Sequence, residues 1–512
     1  MKKTFFITTP IYYPSGNLHI GHLYTTTLAW VFANYKKNRK YDVKMLTGAD
    51  EHGLKIQQKA KESGMLPQQY VDMQVEKFKS LWKLAEIDYD YFSRTTNKEH
   101  KEVILNIFDS LLEKGIIYKG TYKGLYSVSA EEFLTTTQAK EKNGKYYHPI
   151  SEDELIEVEE ESYFFKMSLF QDWLLSYWKN NENFIFPKQI IKELENNFLD
   201  KGLEDLSITR ISFDLGIKIR QNPKHVVYVW LDALFNYISA LNYSLENDQD
   251  YKKYWENGQE IVHIVGKEIT RFHCIYWPIM LKSLDIKLPS TILSHGLIRD
   301  SKGIKMSKSL NNVVDPIYLI ETYGPEPVKY YLSTQIIMGQ DANFDEEHFK
   351  LVYNSHLSNN FGNLLSRTIA MFNQTFDQPV KYKENELTDL ERDIFKNILE
   401  TKENYNKFMD EFKIDKAYKE VFHLSKTLNG YIDLTLPWTL KENKERLEVV
   451  LNTLFNGIYA VTCFMNSILK NKTKLAIKQL NIEEINFDLI GNWKIFDTTI
   501  PLKGKILFER IK

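Results

Sequence analysis

Residues 4–53 read TFFITTPIYYPSGNLHIGHLYTTTLAWVFANYKKNRKYDVKMLTGADEHG and alternate between two patterns. The apolar run TFFITT predicts a short buried strand, and a proline-broken loop follows it. From HIGH onward, Leu28, Val31 and Tyr35 recur close to helical spacing, and DVKML is a second apolar run with polar residues after it. This order of strand, helix and strand predicts a parallel α/β sheet.

The predicted alternation of strands and helices stops after residue 114 and resumes after residue 225. The segment YKGTYKGLYSVSAEEF is typical of hairpins or a knuckle, and SEDELIEVEEESYFF carries a dense acidic run. The sheet pattern resumes with HVVYVWLDALFNY, EIVHIVG and STILSHGLI, and helical periodicity dominates from about residue 344. We therefore expect an α/β domain that an insertion splits, with a helical domain after it.

Composition excludes several classes of protein. The 512 residues carry a formal net charge of −2, which indicates no particular partner, since a nucleic-acid binder needs only a locally basic surface. Cys274 and Cys463 are too few for a disulfide framework or a four-thiolate zinc site, and they fit a reducing compartment. The N-terminal apolar run is too short for a signal peptide, and we expect no uncharged apolar stretch long enough to span a bilayer. We expect a cytoplasmic protein that has no membrane partner.

The tetrapeptide HIGH marks the start of the first predicted helix. A helix N-terminus attracts phosphate through its free N–H groups, and His19 and His22 lie one turn apart on roughly the same side. Gly21 between them lets a ligand approach the backbone closely. Both imidazoles can donate hydrogen bonds to phosphate oxygens. Taken alone, the tetrapeptide is equally typical of two ordinary histidines at a helix start.

The pentapeptide KMSKS, Lys305 to Ser309, lies in a loop rich in glycine, serine, lysine and asparagine. Lys305 and Lys308 can act as point charges for phosphates. Such a loop can close over a triphosphate and neutralise the charge that develops in a transition state. Taken alone, the loop also fits a solvated run of lysines.

The two motifs together resemble the two signatures of class I aminoacyl-tRNA synthetases, in full and in the expected order. Further stretches are similar to methionyl-tRNA synthetases of the short bacterial type, and they spread over most of the chain: TTPIYYPSGNLHIGHLYTT, LTGADEHG, YVWLDALFNYISAL, HIVGKEITRFHCIYWP, SHGLI, GNLLSRT and LPW.

The resemblance implies a two-step reaction, for translation initiation and elongation. The carboxylate of L-methionine attacks the α-phosphate of ATP, held with Mg²⁺ as the substrate complex, and the methionyl group then passes to the 3′ end of tRNA(Met). It implies a doubly wound, Rossmann-like catalytic domain and an all-α helical-bundle domain that binds the anticodon. The expected ranges are 1–114 and 226–298 for the catalytic halves, 115–225 for a zinc-knuckle-like insertion, 299–345 for the KMSKS loop and linking region, 346–470 for the helical domain and 471–512 for a C-terminal extension.

The resemblance also assigns roles to individual residues. Catalytic roles fall to His19, His22, Lys305 and Lys308, with Lys308 the more important lysine for the transition state. ATP-binding positions are Gly21, Gly266, Lys267, Glu268, Lys305, Met306, Ser307, Lys308 and Ser309. Methionine-binding positions are Ile11, Tyr13, Asp50, Trp230, Ala233, Tyr237, Ile269 and His273. Anticodon-binding positions are Asn363, Arg367 and Trp438.

The residue chemistry agrees with these roles without requiring them. Aromatic rings suit the long, polarisable methionine side chain, and Glu268 can accept hydrogen bonds from ribose hydroxyls. An aromatic ring stacks on an unpaired base. Without the resemblance, Trp230, Tyr237 and Trp438 would be core residues, Arg367 a surface charge and Glu268 part of an acidic first helical turn.

The insertion departs from many relatives, which carry zinc-binding cysteine pairs there. Ser127 and Ser129 stand near the expected first pair, and at the second pair KYYHPISEDEL offers His148 but no cysteine. Because hydroxyls are poor zinc ligands, we expect no structural zinc and no other bound metal. The C-terminal module that dimerises some relatives is also absent, so we expect a monomer with no obligatory protein partner.

Three alternatives stay open. Leucyl, isoleucyl and valyl enzymes share both signatures but usually carry a large editing insertion, and cysteinyl enzymes need zinc-binding thiolates. A nucleotidyltransferase could share the sheet and a HIGH-like motif, although GNLLSR and LPW argue against it. A non-catalytic tRNA-binding module is the third, and the two intact signatures argue against that.

Overall fold

The computed structural model describes residues 2–128, 132–134, 139–149, 151–306 and 312–512, with the backbone alone at 132 and 133. Its strands, in chain order, are β1 Thr4–Tyr12, β2 Asp42–Ala49, β3 Tyr91–Arg94, β4 Ile117–Ser127, β5 Glu132–Leu134, β6 Lys140–Lys142, β7 Lys145–Tyr147, β8 Ile156–Phe165, β9 Ile185–Phe186, β10 Leu206–Ser207, β11 Thr209–Arg210, β12 Val226–Val227, β13 Glu260–Gly266, β14 Thr291–His295, β15 Ile298–Arg299 and β16 Ala342–Asn343.

Its helices, in the same order, are α1 Ile20–Asn38, α2 Leu54–Glu62, α3 Pro67–Leu84, α4 Lys98–Glu113, α5 Gln171–Asn180, α6 Gln189–Leu194, α7 Val229–Leu234, α8 Asn236–Ser239, α9 Gln249–Tyr251, α10 Trp277–Ser283, α11 Pro316–Tyr323, α12 Pro325–Thr334, α13 Glu346–Val352, α14 Asn363–Thr375, α15 Asp389–Asp410, α16 Ile414–Thr435, α17 Lys444–Met465 and α18 Lys470–Leu480.

The main sheet has six strands in the order β3-β2-β1-β13-β14-β9, and every pairing in it is parallel. The chain first moves from β1 to β2 on one side and later returns to place β13 on the other side of β1. The strand order therefore reverses between β1 and β13, which is where open α/β sheets bind ligands. The prediction of a doubly wound parallel sheet is confirmed.

Strand β1 extends further than the sequence indicates. Pro10 was expected to end the strand, but β1 continues to Tyr12, and its register against β2 shifts between Thr8 and Ile11. Proline lacks an N–H donor, and a bulge is one of the places where a strand tolerates it. The extension carries Ile11 and Tyr12 to the carboxyl edge of the sheet.

The insertion forms an antiparallel sheet in the order β10-β8-β4-β5. The long β4–β8 pair matches Ile117 with Phe165 and Tyr126 with Ile156. Strand β9 also lies within residues 115–225, yet it pairs with β14 of the main sheet. The stretch between the two catalytic halves is therefore not wholly separate from the parallel sheet.

The stretch HVVYVWLDALFNY corrects the sequence analysis, which assigned it to the sheet. Only Val226–Val227 is a strand, and it pairs antiparallel with β11, while helices α7 and α8 follow from Val229. Most side chains of these two short helices are buried. A continuous apolar run of this length fits a buried strand or a buried helix equally well.

The chain divides into two compact units. The first comprises residues 1–29 and 42–296, and the second comprises 30–41 and 297–512. The second unit is mainly helical, and α11 and α12 lie within the range expected for a linking region. The expectation that no apolar stretch is long enough to span a bilayer is wrong by length and composition: among the described residues, α17 meets both, although 94% of its most apolar 18 residues is buried, as in a core helix.

Candidate functional site

Polar side chains and glycines gather where neighbouring strands of the parallel sheet end. Tyr12 ends β1, Asp50 follows β2, and Gly266 and His295 end β13 and β14 as register partners. The N–H of Asp50 donates to the Tyr12 carbonyl at 3.0 Å. Since the strands are parallel, all four ends lie at one edge, beside the reversal of strand order. This edge is the candidate ligand site of the first unit.

The two HIGH histidines contact each other at the start of α1. Their ring centroids are 4.0 Å apart, and the His19 N–H donates to His22 Nδ1 at 3.1 Å. The Gly21 N–H donates to His19 Nδ1 at 3.0 Å. Each Nδ1 is therefore an acceptor, which leaves the proton on Nε2 of each neutral ring. Burial, followed by the proximity of His19, lowers the pKa of His22 well below its usual value, so His22 is a neutral donor at pH 7.

His295 connects this motif to the adjacent strand. Its Nδ1 donates to the Gly296 carbonyl at 2.8 Å, and its Nε2 lies 2.7 Å from Thr25 Oγ1 on α1. Burial lowers the pKa of His295, so the ring is neutral and Nε2 accepts from Thr25. His295 was not among the residues predicted from the sequence, although it stands at the end of the strand predicted for STILSHGLI.

Gly266, Lys267 and Glu268 form the turn that follows β13. A Cβ added at Gly266 would lie 2.7 Å from Glu268 Oε2, so the carboxylate folds back over the glycine. Lys267 and Glu268 are both exposed. The sequence-predicted ATP-binding residues of this turn therefore lie together at the carboxyl edge of the sheet.

Three of the predicted methionine-binding residues form one hydrogen-bonded chain. The Tyr237 hydroxyl lies 2.7 Å from His273 Nε2, and His273 Nδ1 lies 3.0 Å from the Ile269 carbonyl. Burial lowers the pKa of His273 to about 4, so the ring is neutral at pH 7. Nδ1 therefore donates to Ile269 and Nε2 accepts from Tyr237.

Two further aromatic residues, His263 and Phe272, each stack on a predicted methionine-binding residue and were not predicted from the sequence. His263 stacks on Tyr237 with ring centroids 4.1 Å apart, and its Nδ1 lies 2.7 Å from Thr8 Oγ1 of β1. Phe272 stacks on Trp230 at 3.6 Å. The Trp230 indole N–H is buried and has no hydrogen-bond partner among the described residues. His263 and Phe272 could not be predicted from the sequence, because these contacts form only in the folded chain.

The remaining predicted pocket residues occupy neighbouring positions. Ala233 lies on α7 with Trp230, and Ile11 reaches β2, where a Cβ on Gly48 would lie 2.8 Å from its Cγ2. Tyr13 packs beside a small cluster that contains Ile56 and Tyr70. Asp50 is only 9% exposed.

The KMSKS motif is described only at its beginning. Lys305 and Met306 lie after β15, and the carbonyl of Lys305 accepts from Asn312 Nδ2 at 3.3 Å. Ser307, Lys308 and Ser309 lie outside the described residues. Lys305 belongs to the second unit.

The predicted anticodon-binding residues meet in the second unit. The Arg367 guanidinium carbon lies 6.0 Å from the Trp438 ring centroid, and Trp438 is 46% exposed. Leu436 follows the last residue of helix α16 as its C-cap, with a left-handed φ of 44° and ψ of 58°, and the turn Pro437–Thr439 comes next. Asn363 is exposed at the start of α14, one helical turn before Arg367. The surface thus combines an aromatic face, a cation and an amide.

The described part of the insertion offers little to a metal ion. The Ser127 hydroxyl donates to Asp153 Oδ2 at 2.7 Å, and His148 Nδ1 accepts from the Ser151 N–H at 3.0 Å. Within the part of the chain that the structure describes, no group of three histidine, cysteine or acidic side chains is arranged to hold a metal. Ser129 lies outside the described residues.

Comparison with known proteins agrees with this geometry. A family model for class I tRNA synthetases, of the type denoted M, matches residues 5–369. The methionine–tRNA ligase of Mycoplasmopsis pulmonis is 51% identical over the whole of both chains, and that of Bacillus subtilis is 43% identical over all of this chain and 78% of its own length. The Mycobacterium tuberculosis methionyl-tRNA synthetase in complex with methionyl-adenylate has a TM-score of 0.94 at 29% identity, and the match covers 99% of this chain and 100% of that one.

Proposed function

This chain belongs to the methionyl-tRNA synthetase family of class I, and on that premise we propose which of its residues carry each step of the reaction. It is a methionine–tRNA ligase, which activates L-methionine with ATP and transfers the methionyl group to tRNA. A methionine carboxylate oxygen attacks the α-phosphate, pyrophosphate leaves, and the 3′-terminal adenosine of tRNA(Met) then takes the methionyl group and releases AMP.

His19 and His22 bind the phosphates as neutral donors through Nε2–H. The observation that carries this proposal is the pair of Nδ1 acceptors at the start of α1, beside the point where the strand order reverses. Lys305 and Lys308 supply the positive charge that neutral rings cannot, together with Mg²⁺ carried on the nucleotide. Met306, Ser307 and Ser309 complete the loop at the triphosphate. Such a site works by positioning and by charge stabilisation.

At the carboxyl edge of the sheet, one set of residues binds the nucleotide and another set binds the amino acid. Gly21 and Gly266 allow close approach of the nucleotide, Lys267 reaches phosphate and Glu268 accepts from the ribose. The methionine side chain lies against the aromatic and apolar set, and Asp50 holds its ammonium group. The members of that set are Ile11, Tyr13, Trp230, Ala233, Tyr237, Ile269 and His273.

We further propose that the insertion contains no structural zinc, that the enzyme is a cytoplasmic monomer without an obligatory protein partner, and that the six residue ranges divide the chain as the resemblance implies. The hydroxyls of Ser127 and Ser151 support the first proposal, because both are engaged in hydrogen bonds with Asp153 or His148.

The second unit, with Asn363, Arg367 and Trp438, carries the anticodon contacts.

ATP–pyrophosphate exchange against a panel of amino acids tests the amino-acid assignment. Methionine should support exchange, while leucine, isoleucine, valine and cysteine should not at the same concentration. A pocket lined by rings and closed by a tyrosine–histidine pair fits an unbranched thioether better than a branched side chain. Preferential exchange with any other member of the panel would contradict the assignment.

Replacing Trp438 with alanine should lower the kcat/KM for tRNA charging by about 10–100-fold, because one base loses its stacking surface. Methionine-dependent ATP–pyrophosphate exchange should stay unchanged, since this step needs no tRNA. Trp438→Phe is the matched control, because it keeps an aromatic face and should retain most of the charging activity. A parallel loss of charging and exchange would remove Trp438 from the anticodon site.

A further inference from the structure

Buried residues close in sequence to the proposed methionine-binding positions form a cluster that the reaction described above does not use. Asp232 Oδ2 lies 2.6 Å from His52 Nδ1, and Asp232 Oδ1 lies 2.6 Å from His100 Nε2. His100 Nδ1 lies 2.7 Å from Ser239 Oγ. Asp232 is 0% exposed, and the other three residues are also buried. We name these four residues the Asp232 cluster.

The protons of the Asp232 cluster can be assigned from its chemistry. Burial raises the pKa of Asp232, but its interactions with His52 and His100 outweigh burial and bring the pKa to about 2. The carboxylate is therefore ionised and accepts from both rings. With Nε2 of His100 donating to Asp232, its Nδ1 is placed to accept from the Ser239 hydroxyl when the ring is neutral.

The series Ser239–His100–Asp232 contains the residue types of a nucleophilic triad, but it cannot act as one here. Ser239 is 4% exposed and His100 is 3% exposed, so an external substrate has no route to the hydroxyl. The serine also contacts Nδ1 and the aspartate contacts Nε2 of the same ring. A buried, hydrogen-bonded network of this kind instead fixes the elements that carry it.

Those elements carry both ends of the proposed amino-acid site. His52 lies two residues after Asp50, in the loop that follows β2. Asp232 lies on α7 between Trp230 and Ala233, and Ser239 lies on α8 two residues after Tyr237. His100 lies on α4 and contacts both Asp232 and Ser239. A single carboxylate thus ties the proposed ammonium-binding loop to the proposed side-chain pocket.

We propose that the Asp232 cluster sets the separation between Asp50 and the pocket formed by Trp230, Ala233 and Tyr237, and so determines the length of amino acid that the enzyme accepts. The proposal rests on the assignment of those residues to methionine. The members of the cluster are positioning residues, because they act through the groups that contact the substrate. Loss of the link lets the two ends move relative to each other, which weakens the preference for methionine over analogues one carbon shorter or longer.

The test compares His52→Leu with His52→Asn. Leucine removes the donor to Asp232, whereas the asparagine amide can replace the Nδ1–H of histidine. We expect His52→Leu to raise the methionine KM by about 10-fold or more, as for a lost hydrogen bond to a buried charge, with the ATP KM unchanged. Its preference for methionine over S-methylcysteine and ethionine should fall by about 5-fold or more, and His52→Asn should restore most of both.

His225→Leu serves as the matched control for the loss of a buried histidine. His225 is 1% exposed and contacts Thr209 and Glu161 in the insertion. This variant should melt at a lower temperature but keep the wild-type methionine KM and analogue preference. A methionine KM that changes equally in both variants would show a general effect of stability and overturn the proposal.

Other outcomes are equally decisive. A lower melting temperature of His52→Leu with unchanged methionine KM and unchanged analogue preference would make the cluster purely structural. If His52→Leu does not fold, Ser239→Ala replaces it, with an expected rise of about 3-fold in methionine KM, and no rise would overturn the proposal. Failure of the wild-type enzyme to exchange pyrophosphate with methionine would instead refute the underlying function.

Discussion

Lys308→Ala should lower the kcat of methionine-dependent ATP–pyrophosphate exchange by about two to three orders of magnitude. The attack on the α-phosphate shifts negative charge towards the departing pyrophosphate, and an ammonium group that meets this charge stabilises the transition state more than the ground state. The histidines of HIGH cannot compensate, because His22 is neutral at pH 7. The methionine KM should change little, since the proposed contacts of Lys308 are to phosphate.

Steady-state exchange at varied ATP and methionine concentrations separates an effect on kcat from an effect on the KM of either substrate. Lys305→Ala should show the smaller loss expected from the resemblance, and Lys302→Ala, an exposed lysine three residues before Lys305, should behave like the wild type. An unchanged exchange rate in Lys308→Ala would refute its assigned role. A loss that methionine saturation restores would place the lysine at the amino acid instead of the nucleotide.

Asp50→Asn should raise the methionine KM by about 100-fold, because it removes the charge that we propose pairs with the substrate ammonium in a nearly buried position. Asp50 is 9% exposed and lies at the carboxyl edge of the sheet, where water screens the pair only weakly. The substitution keeps the size of the side chain, so the effect reports charge. The ATP KM should stay near its wild-type value.

Exchange kinetics at saturating ATP measure this effect, and Asp214→Asn provides the control. Asp214 is an exposed carboxylate of the same unit and forms a surface ion pair with Lys218, so its loss should leave both KM values unchanged. If Asp50→Asn instead raises the ATP KM and leaves the methionine KM unchanged, the carboxylate does not bind the ammonium.

The parallel core of the fold could be predicted from the sequence because its strands are buried on both faces. β1, β2, β13 and β14 are mostly buried, and a polar residue or glycine stands at or directly after the end of β2, β13 and β14: Asp50, Gly266 and His295. After HIGH, the apolar residues recur at helical spacing, which indicates helix α1. The positions of His19, His22 and Gly266 at the carboxyl edge follow from this pattern, since parallel strands bring their ends together.

Other features depend on contacts that no local pattern records. Strand β9 has only two residues and joins the main sheet from inside the insertion, so its apolar character cannot identify its partner. The run containing Trp230 is buried whether it is strand or helix, and the structure makes it a helix. His263 and His295 acquire their roles through contacts with Thr8 and Thr25, which lie 255 and 270 residues away in the chain.

The left-handed residue at the end of α16 has a consequence for RNA binding. Leu436 is an ordinary side chain in a conformation that costs about 1–2 kcal/mol, and its N–H still donates to the Ile432 carbonyl. The proline that follows restricts the backbone further. The backbone that carries Trp438 is therefore preorganised, and in the proposed anticodon site an incoming base stacks on a ring that this restricted turn presents. Little conformational entropy is left to lose on association, so more of the stacking energy is retained as affinity.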